Sequence, residues 1–366
     1  MELSVVVPTL NGRDRLAACL DALAAHAPEA EVIVANGPSA DGTTGMVRDR
    51  DDVDVLVEIS DRTVNVARNA GIEVAAGDAI ALVDYDNRIG EGWIDAVWDG
   101  LADADAVTGP VTPIEPPGET ASEAAADASE PDETADDSSS DRTDDAEDGD
   151  ADDDDDADDD DAGDEPDDDD AGDEPDDDDT APERRTIAGR DVTYFAGGNV
   201  AFWRETLRDL DGFDEYLRTG GARDAAHRLA GMDRRIAWRD GLAATKELPS
   251  PTAVDGGRSA RDWGWKYRAL AYRLLKNYGV RPTVLARIGS HAATDAFGAA
   301  VDVVRGDSTP SRWAATGRDV LVGLVGGTSD GLVARGRDRS PARNPNGITE
   351  RADRPVAKYD RREREE

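Results

Sequence analysis

Disulfide chemistry is closed to this chain: Cys19 is its single cysteine, so no intrachain bridge can form and stability has to come from a packed core. That usage agrees with a reducing compartment. Positive charge is scarce too, with 41 Lys and Arg against 82 Asp and Glu, and the only lysines are Lys246, Lys266, Lys276 and Lys358. No unbroken apolar run reaches the ~18 residues that would let one helix span a bilayer. The N-terminus has no basic region and Pro8 cuts its first apolar stretch short, so no signal peptide is read and the chain is expected in the cytoplasm.

The net charge of −41 is not spread evenly. Residues 119–183 carry 36 Asp and Glu against one Arg, whereas residues 258–366 are net basic at +8. The nonapeptide DDDDAGDEP occupies 158–166 and recurs at 167–175. Such a run has no apolar surface to bury and repels itself, so residues 116–185 are expected to form a disordered acidic insert. It lacks the residue spacing of a calcium-binding loop. Inserted at a surface loop it costs little closure entropy, so a folded domain can carry it.

What is present on either side has the rhythm of alternating strands and helices. Residues 3–7, 31–35 and 53–57 read as strands, with a helix at 15–25 whose Leu16, Leu20 and Leu23 keep helical spacing and another near 42–50. This pattern implies a parallel sheet covered by helices. The aliphatic run Ala79–Val83 ends abruptly in Asp84 and Asp86. Open α/β sheets place ligands at the carboxyl ends of their strands, and paired carboxylates there suit a hard cation such as Mg²⁺ or Mn²⁺ that shares its remaining positions with phosphate oxygens.

Four stretches occur in order: SVVVPTLNGRDRL (4–16), EVIVANGPSADGT (31–43), VNVARNAG (64–71) leading to ALVDYDN (81–87), and FAGGNVAFWRETLRDLDGFDEYL (195–217). Together they resemble the family 2 glycosyltransferases, inverting enzymes of GT-A fold, that is, a Rossmann-like sheet that binds a nucleotide-diphosphate sugar. The resemblance covers residues 1–115 and 186–280. It implies donor binding by Pro8, Thr9, Asn11, Asn36, Gly37, Ser39, Asp41, Asn65, Arg68 and Asp84, metal binding by Asp84 and Asp86, and acceptor contacts from Gly198 and Asn199. Three departures stand out. The acidic residue usual at the end of the second strand is replaced by Ala35-Asn36, which leaves the base undetermined. Where the family has Glu-Asp-x-Asp-Leu with a carboxylate as catalytic base, this chain has Gly221-Ala222-Arg223-Asp224-Ala225, so Asp224 is the remaining candidate base. Where the family often places a metal-binding histidine, Asp255 stands as a third candidate ligand.

The expected organisation is a nucleotide-sugar-binding half at 1–115, the insert at 116–185, an acceptor-binding half at 186–280, a helical segment at 281–335 and a disordered tail at 336–366. On a helix, Trp263, Tyr267, Leu270, Ala271 and Leu274 share one face flanked by Lys266, Arg268, Arg273 and Lys276, a pattern that suits either an anionic membrane surface or ordinary packing. The lysine-poor, Arg- and Asp-rich usage resembles that of salt-loving archaea. The implied activity is sugar transfer from a nucleotide donor, with inversion, to a polyprenyl- or dolichyl-phosphate-linked glycan for protein N-glycosylation or surface polysaccharide. It would take place at the cytoplasmic membrane face with no nucleic-acid partner. The competing reading is a non-catalytic sugar-nucleotide-binding protein that has lost its base. A nucleotidyltransferase ranks last, because PTLNGRDRL lacks that class's Gly-rich signature after the first strand.

Overall fold

The computed structural model describes residues 1–114, 181–248, 262–306, 309–351 and 354–362. Most of the acidic insert and Asp255 lie outside the described residues. The first unit runs β1 (Leu3–Thr9), α1 (Arg13–His26), β2 (Glu31–Asn36), α2 (Thr43–Arg48), β3 (Val55–Ile59), α3 (Val64–Val74), β4 (Ala79–Val83), β5 (Asn87–Ile89), α4 (Trp93–Leu101), β6 (Ala106–Thr108) and β7 (Val111–Ile114). Past the insert come β8 (Arg184–Ile187), β9 (Arg190–Thr193), β10 (Asn199–Trp203), α5 (Arg204–Leu210), α6 (Gly221–Gly231), β11 (Ile236–Trp238) and β12 (Ala244–Glu247). Helices α7 (Trp263–Tyr278), α8 (Pro282–Arg305) and α9 (Pro310–Arg337) follow, then a 3₁₀ turn at Ile348–Glu350 and β13 (Pro355–Asp360).

The main sheet has the order β11-β6-β10-β4-β1-β2-β3-β13. Strands β1 to β4 are parallel, and β10 runs antiparallel between β4 and β6. From β1 the chain steps outward to β2 and β3, then returns to place β4 on the other side of β1. That reversal opens a crevice at the carboxyl ends of β1 and β4, where ligands of open α/β sheets sit. Alternation along β1 serves both faces: Val6 packs with Val66, Ala70 and Leu229 of α3 and α6, while Val5 and Val7 pack with Leu16, Leu20 and Val97 of α1 and α4. Each fully buried Val or Leu adds roughly 1.5–3 kcal/mol. A small second sheet, β5-β12-β7, lies beside the end of β4.

One expectation is corrected, and one pair of alternatives is decided. The tail at 336–366 was expected to be disordered, yet Pro355–Asp360 pairs antiparallel with β3 and closes that edge of the sheet. Its composition hid this, because the strand is carried by alternation and flanking ion pairs rather than by apolar residues: Arg361 reaches Asp51, and Arg362 reaches Glu31 and Asp360. Helix α7 is packed, not laid open as a membrane-facing surface. Lys266, Arg273 and Lys276 are buried along with its apolar face. The cause lies on α9, where Gly323, Gly327 and Gly331 sit on the backbone of Gly264, Arg268 and Tyr272 so closely that any Cβ would collide with a carbonyl. Small residues at this spacing let two helix backbones touch.

Candidate functional site

The β1–α1 and β2–α2 loops are stitched together by short polar bonds. Asn11, at φ 51°, donates its backbone N–H to Ser39 Oγ (2.9 Å) and accepts from the Ala40 N–H through Oδ1 (2.8 Å). Asp41 accepts from the Arg13 N–H (2.9 Å) and the Thr43 N–H (3.0 Å). Burial pushes its carboxyl up, but these bonds and the Thr43 hydroxyl outweigh it and leave the pKa lowered. Asn36 is buried and spends its side chain on Thr44 and Ser39. Gly37 donates its N–H to the Thr9 carbonyl, tying the two strand ends together. Pro8 lies inside β1, opposite Ala35. These residues shape the rim, and Asn36, fully buried, uses both ends of its amide within it.

Beside them the chain leaves β4 through Asp84, Tyr85 and Asp86. Gly198 must lack a Cβ, which would collide with the Asp84 carboxylate. Its carbonyl accepts from the Asp84 N–H (3.0 Å) and from Asn87 Nδ2 (2.7 Å). Arg68 of α3 pairs with Asp84 at 3.1 Å, while Arg15 and Lys246 approach Asp86 at 3.8 and 3.6 Å. Lys246 comes from β12, in register with Asn87. Burial is the main cause that raises the Asp86 pKa, opposed by Lys246 and reinforced by Asp84. Three buried oxygens here have no hydrogen-bond partner among the described residues: Thr9 Oγ1, Asp86 Oδ1 and Asn87 Oδ1. Orphaned buried oxygens are costly unless a ligand completes them.

These oxygens fit a hard divalent cation held by Asp84 and Asp86. No group of three or more His, Cys, Asp or Glu suited to a metal occurs among the described residues. The remaining ligands would then be phosphate oxygens and water, the usual surroundings of Mg²⁺ at a nucleotide.

Several expected contacts fall elsewhere. Asn199 is fully engaged, accepting from Trp93 Nε1 (3.0 Å) and donating to the Leu242 carbonyl (2.7 Å), so it braces β10 and has nothing to offer an acceptor. Asn65 donates to the carbonyls of Asp214 and Leu217, which fixes the turn before α6. Asp224 is wholly buried. It accepts from Arg228 Nε (2.7 Å), Lys276 Nζ (2.8 Å) and Asn277 Nδ2 (2.9 Å). Burial would raise its pKa, but the Lys276 and Arg228 charges prevail and lower it. Enclosed and held ionised, it is a poor proton acceptor. The other carboxylates nearby are also committed: Asp214 to Lys276, Tyr272 and Asn346, and Glu215 to Asn69 and Arg354. Ala222 is the residue that faces the site, since a Cβ at Gly197 would stand 3.1 Å from Ala222 Cβ and 3.0 Å from Arg68 Nη2. Sequence reasoning missed Lys246 and Arg15. The rarity of lysine was the available signal for the first.

Residues 4–125 match the model of Glycosyl transferase family 2. The glycosyltransferase AglE of Haloferax volcanii is 30% identical over 100 residues, 25% of this chain, so the match spans 33% of that relative's length. Among solved structures, S. aureus TarS 1-349 in complex with UDP-GlcNAc is similar over 94% of this chain and 88% of its own, with a TM-score of 0.53 and 14% identity. TarS 1-349 without that ligand gives 0.51 and 15% over the same shares. At such identity these two likenesses concern the fold. Residues 4–125 thus match glycosyl transferase family 2, and the α/β sheet that carries them resembles in fold the TarS structures.

Proposed function

We propose that this protein transfers a sugar, with inversion, from a nucleotide-diphosphate donor to an acceptor carried on a polyprenyl phosphate. The observation that carries this reading is the set of unsatisfied buried oxygens of Thr9, Asp86 and Asn87 beside Asp84, gathered where the sheet order reverses. Mg²⁺ or Mn²⁺ bound by Asp84 and Asp86 would supply neutralisation of the leaving diphosphate. Arg68 positions Asp84 through their 3.1 Å ion pair, and Lys246 and Arg15 hold Asp86 against its neighbour's charge. The stitched Asn11, Ser39 and Asp41 loops set the width of the donor cleft. Asp255, outside the described residues, remains a proposed third ligand.

Contact with an anionic membrane is supported by the outer faces of α8 and α9. Leu285, Phe297, Leu321, Val322, Val325 and Val333 are exposed there, with Arg305, Arg312 and Arg318 beside them. Among the described residues no helix is long and apolar enough to cross a membrane. The second reading, a donor-binding protein without transferase activity, is favoured by Ala222 at the position of the family's base. Product analysis after incubation with nucleotide sugars, Mn²⁺ and a polyprenyl-phosphate acceptor separates the two: transferred sugar supports the enzyme, and donor binding without transfer or hydrolysis supports the binding protein.

A further inference from the structure

The three cations at the end of β4 are held in different ways. Arg68 is committed to Asp84 by a charge-assisted hydrogen bond of 3.1 Å. Arg15 stands 3.8 Å from Asp86 Oδ2 with its guanidinium over the Tyr85 ring at 5.1 Å. That ring lies against Gly12, where any Cβ would collide with it, so Arg15 rests on a fixed surface. Lys246 faces the same Asp86 oxygen at 3.6 Å, beyond hydrogen-bonding length, and its side chain is 24% exposed. Its backbone is fixed. Lys246 stands opposite Asn87 in the ladder, and Glu247 donates its N–H to the Asp86 carbonyl at 3.0 Å and pairs its carboxylate with Arg88. An anchored Cα and a compact ammonium on a flexible four-carbon stem give this group reach without moving the strand.

Two demands meet at Asp86. A divalent cation and the Lys246 ammonium repel each other and compete for the same carboxylate. A diphosphate arriving beside that carboxylate offers the ammonium a second anion within reach of its stem. We infer that Lys246 is a diphosphate-binding residue, paired with Asp86 in the unloaded site and donating to the phosphate oxygens of the nucleotide once it is bound. This rests on the donor-binding reading above and adds a residue from β12 to the groups that meet the leaving diphosphate. A nucleoside diphosphate ends in a phosphate with a further ionisation near neutral pH, which the sugar ester of the donor lacks. The Lys246 contact is therefore stronger to the nucleoside diphosphate than to the sugar nucleotide. A contact that strengthens as charge gathers on the leaving group favours its departure.

The test is calorimetric titration of the full chain, as wild type, Lys246→Gln and Lys246→Arg, with Mn²⁺ alone and then with UDP and GDP at saturating Mn²⁺. Lys246→Gln should bind Mn²⁺ alone about threefold more tightly than wild type, because a competing positive charge has gone. It should bind the nucleoside diphosphate that the wild type prefers about tenfold or more weakly, the loss expected for one charge-assisted hydrogen bond. The loss for the matching sugar nucleotide should be smaller. Lys246→Arg keeps the charge and should stay close to wild type for the metal and the nucleotide. A disturbed fold would weaken both ligands, whereas a cation exchanged between Asp86 and phosphate moves the two affinities in opposite directions. A Lys246→Gln protein that binds the nucleoside diphosphate as the wild type does, or loses metal and nucleotide together, overturns the inference and leaves the donor reading standing. So does a Lys246→Arg protein as weak for nucleotide as Lys246→Gln. No binding of UDP, GDP or their sugar nucleotides by the wild type in Mn²⁺ overturns the donor reading, and the inference with it.

Discussion

Two groups of buried carboxylates sit within this fold and behave in opposite ways. Under α6 and α7, Asp214 and Asp224 share Lys276, with Arg228, Tyr272, Asn277 and Asn346 filling their remaining positions. Arg228 in turn donates to the carbonyls of Leu210 and Gly212, so two negative charges meet two positive ones and every arm is used. At the end of β4, Asp84 and Asp86 are approached by three cations, yet an Asp86 oxygen and those of Thr9 and Asn87 are left unmet. A closed network holds elements together; an open one waits for a ligand. By that difference the first group braces the fold and the second is the candidate site.

Substitutions can break or sharpen the contrast. Lys276→Met should have the largest effect, leaving two buried carboxylates with one cation and costing ~3–5 kcal/mol in denaturant unfolding; a loss below ~1 kcal/mol would mean the network is not closed as drawn. Asp86→Ala should lower transfer ~100-fold or more while circular dichroism and unfolding stay close to wild type. Unchanged turnover at saturating Mn²⁺ would remove the metal assignment. Gly198→Ala would push a methyl into the Asp84 carboxylate, with an expected stability cost of ~1–3 kcal/mol and weakened donor binding; a variant that binds donor normally would show that Asp84 can move at no cost. Asp224→Asn should give the smallest change in transfer, less than the ~100-fold minimum for losing a general base once activity is scaled to folded protein. A larger loss there would return the base to Asp224.

How far the sequence alone reaches differs along the chain. Strand β4 lies where the run AIALV places it, and the βαβ rhythm up to Thr108 leads to the parallel sheet, because local periodicity and burial coincide there. The position of Asp84 and Asp86 at the end of β4 was legible because a strand end followed by two carboxylates is a local pattern. The fate of Asp224 was not, since its partners Lys276 and Asn277 lie about 50 residues away and only the packing of α7 on α6 brings them in. Asn199 misled for the same reason: its partners are Trp93 and Leu242. The charged strand β13 and the glycine-lined α7–α9 contact escape composition altogether, because neither depends on a run of apolar residues.

The central claim is that the open carboxylate pair at the end of β4 binds a nucleotide sugar through a divalent cation. Calorimetric titration of UDP- and GDP-linked sugars into the wild type and Asp86→Asn, each with Mn²⁺ and with EDTA, tests it most directly. The account predicts binding of at least one donor by the wild type in Mn²⁺, lost or weakened at least about tenfold both in EDTA and in Asp86→Asn. Binding that is indifferent to the metal and to Asp86, or no binding of any donor, would contradict it.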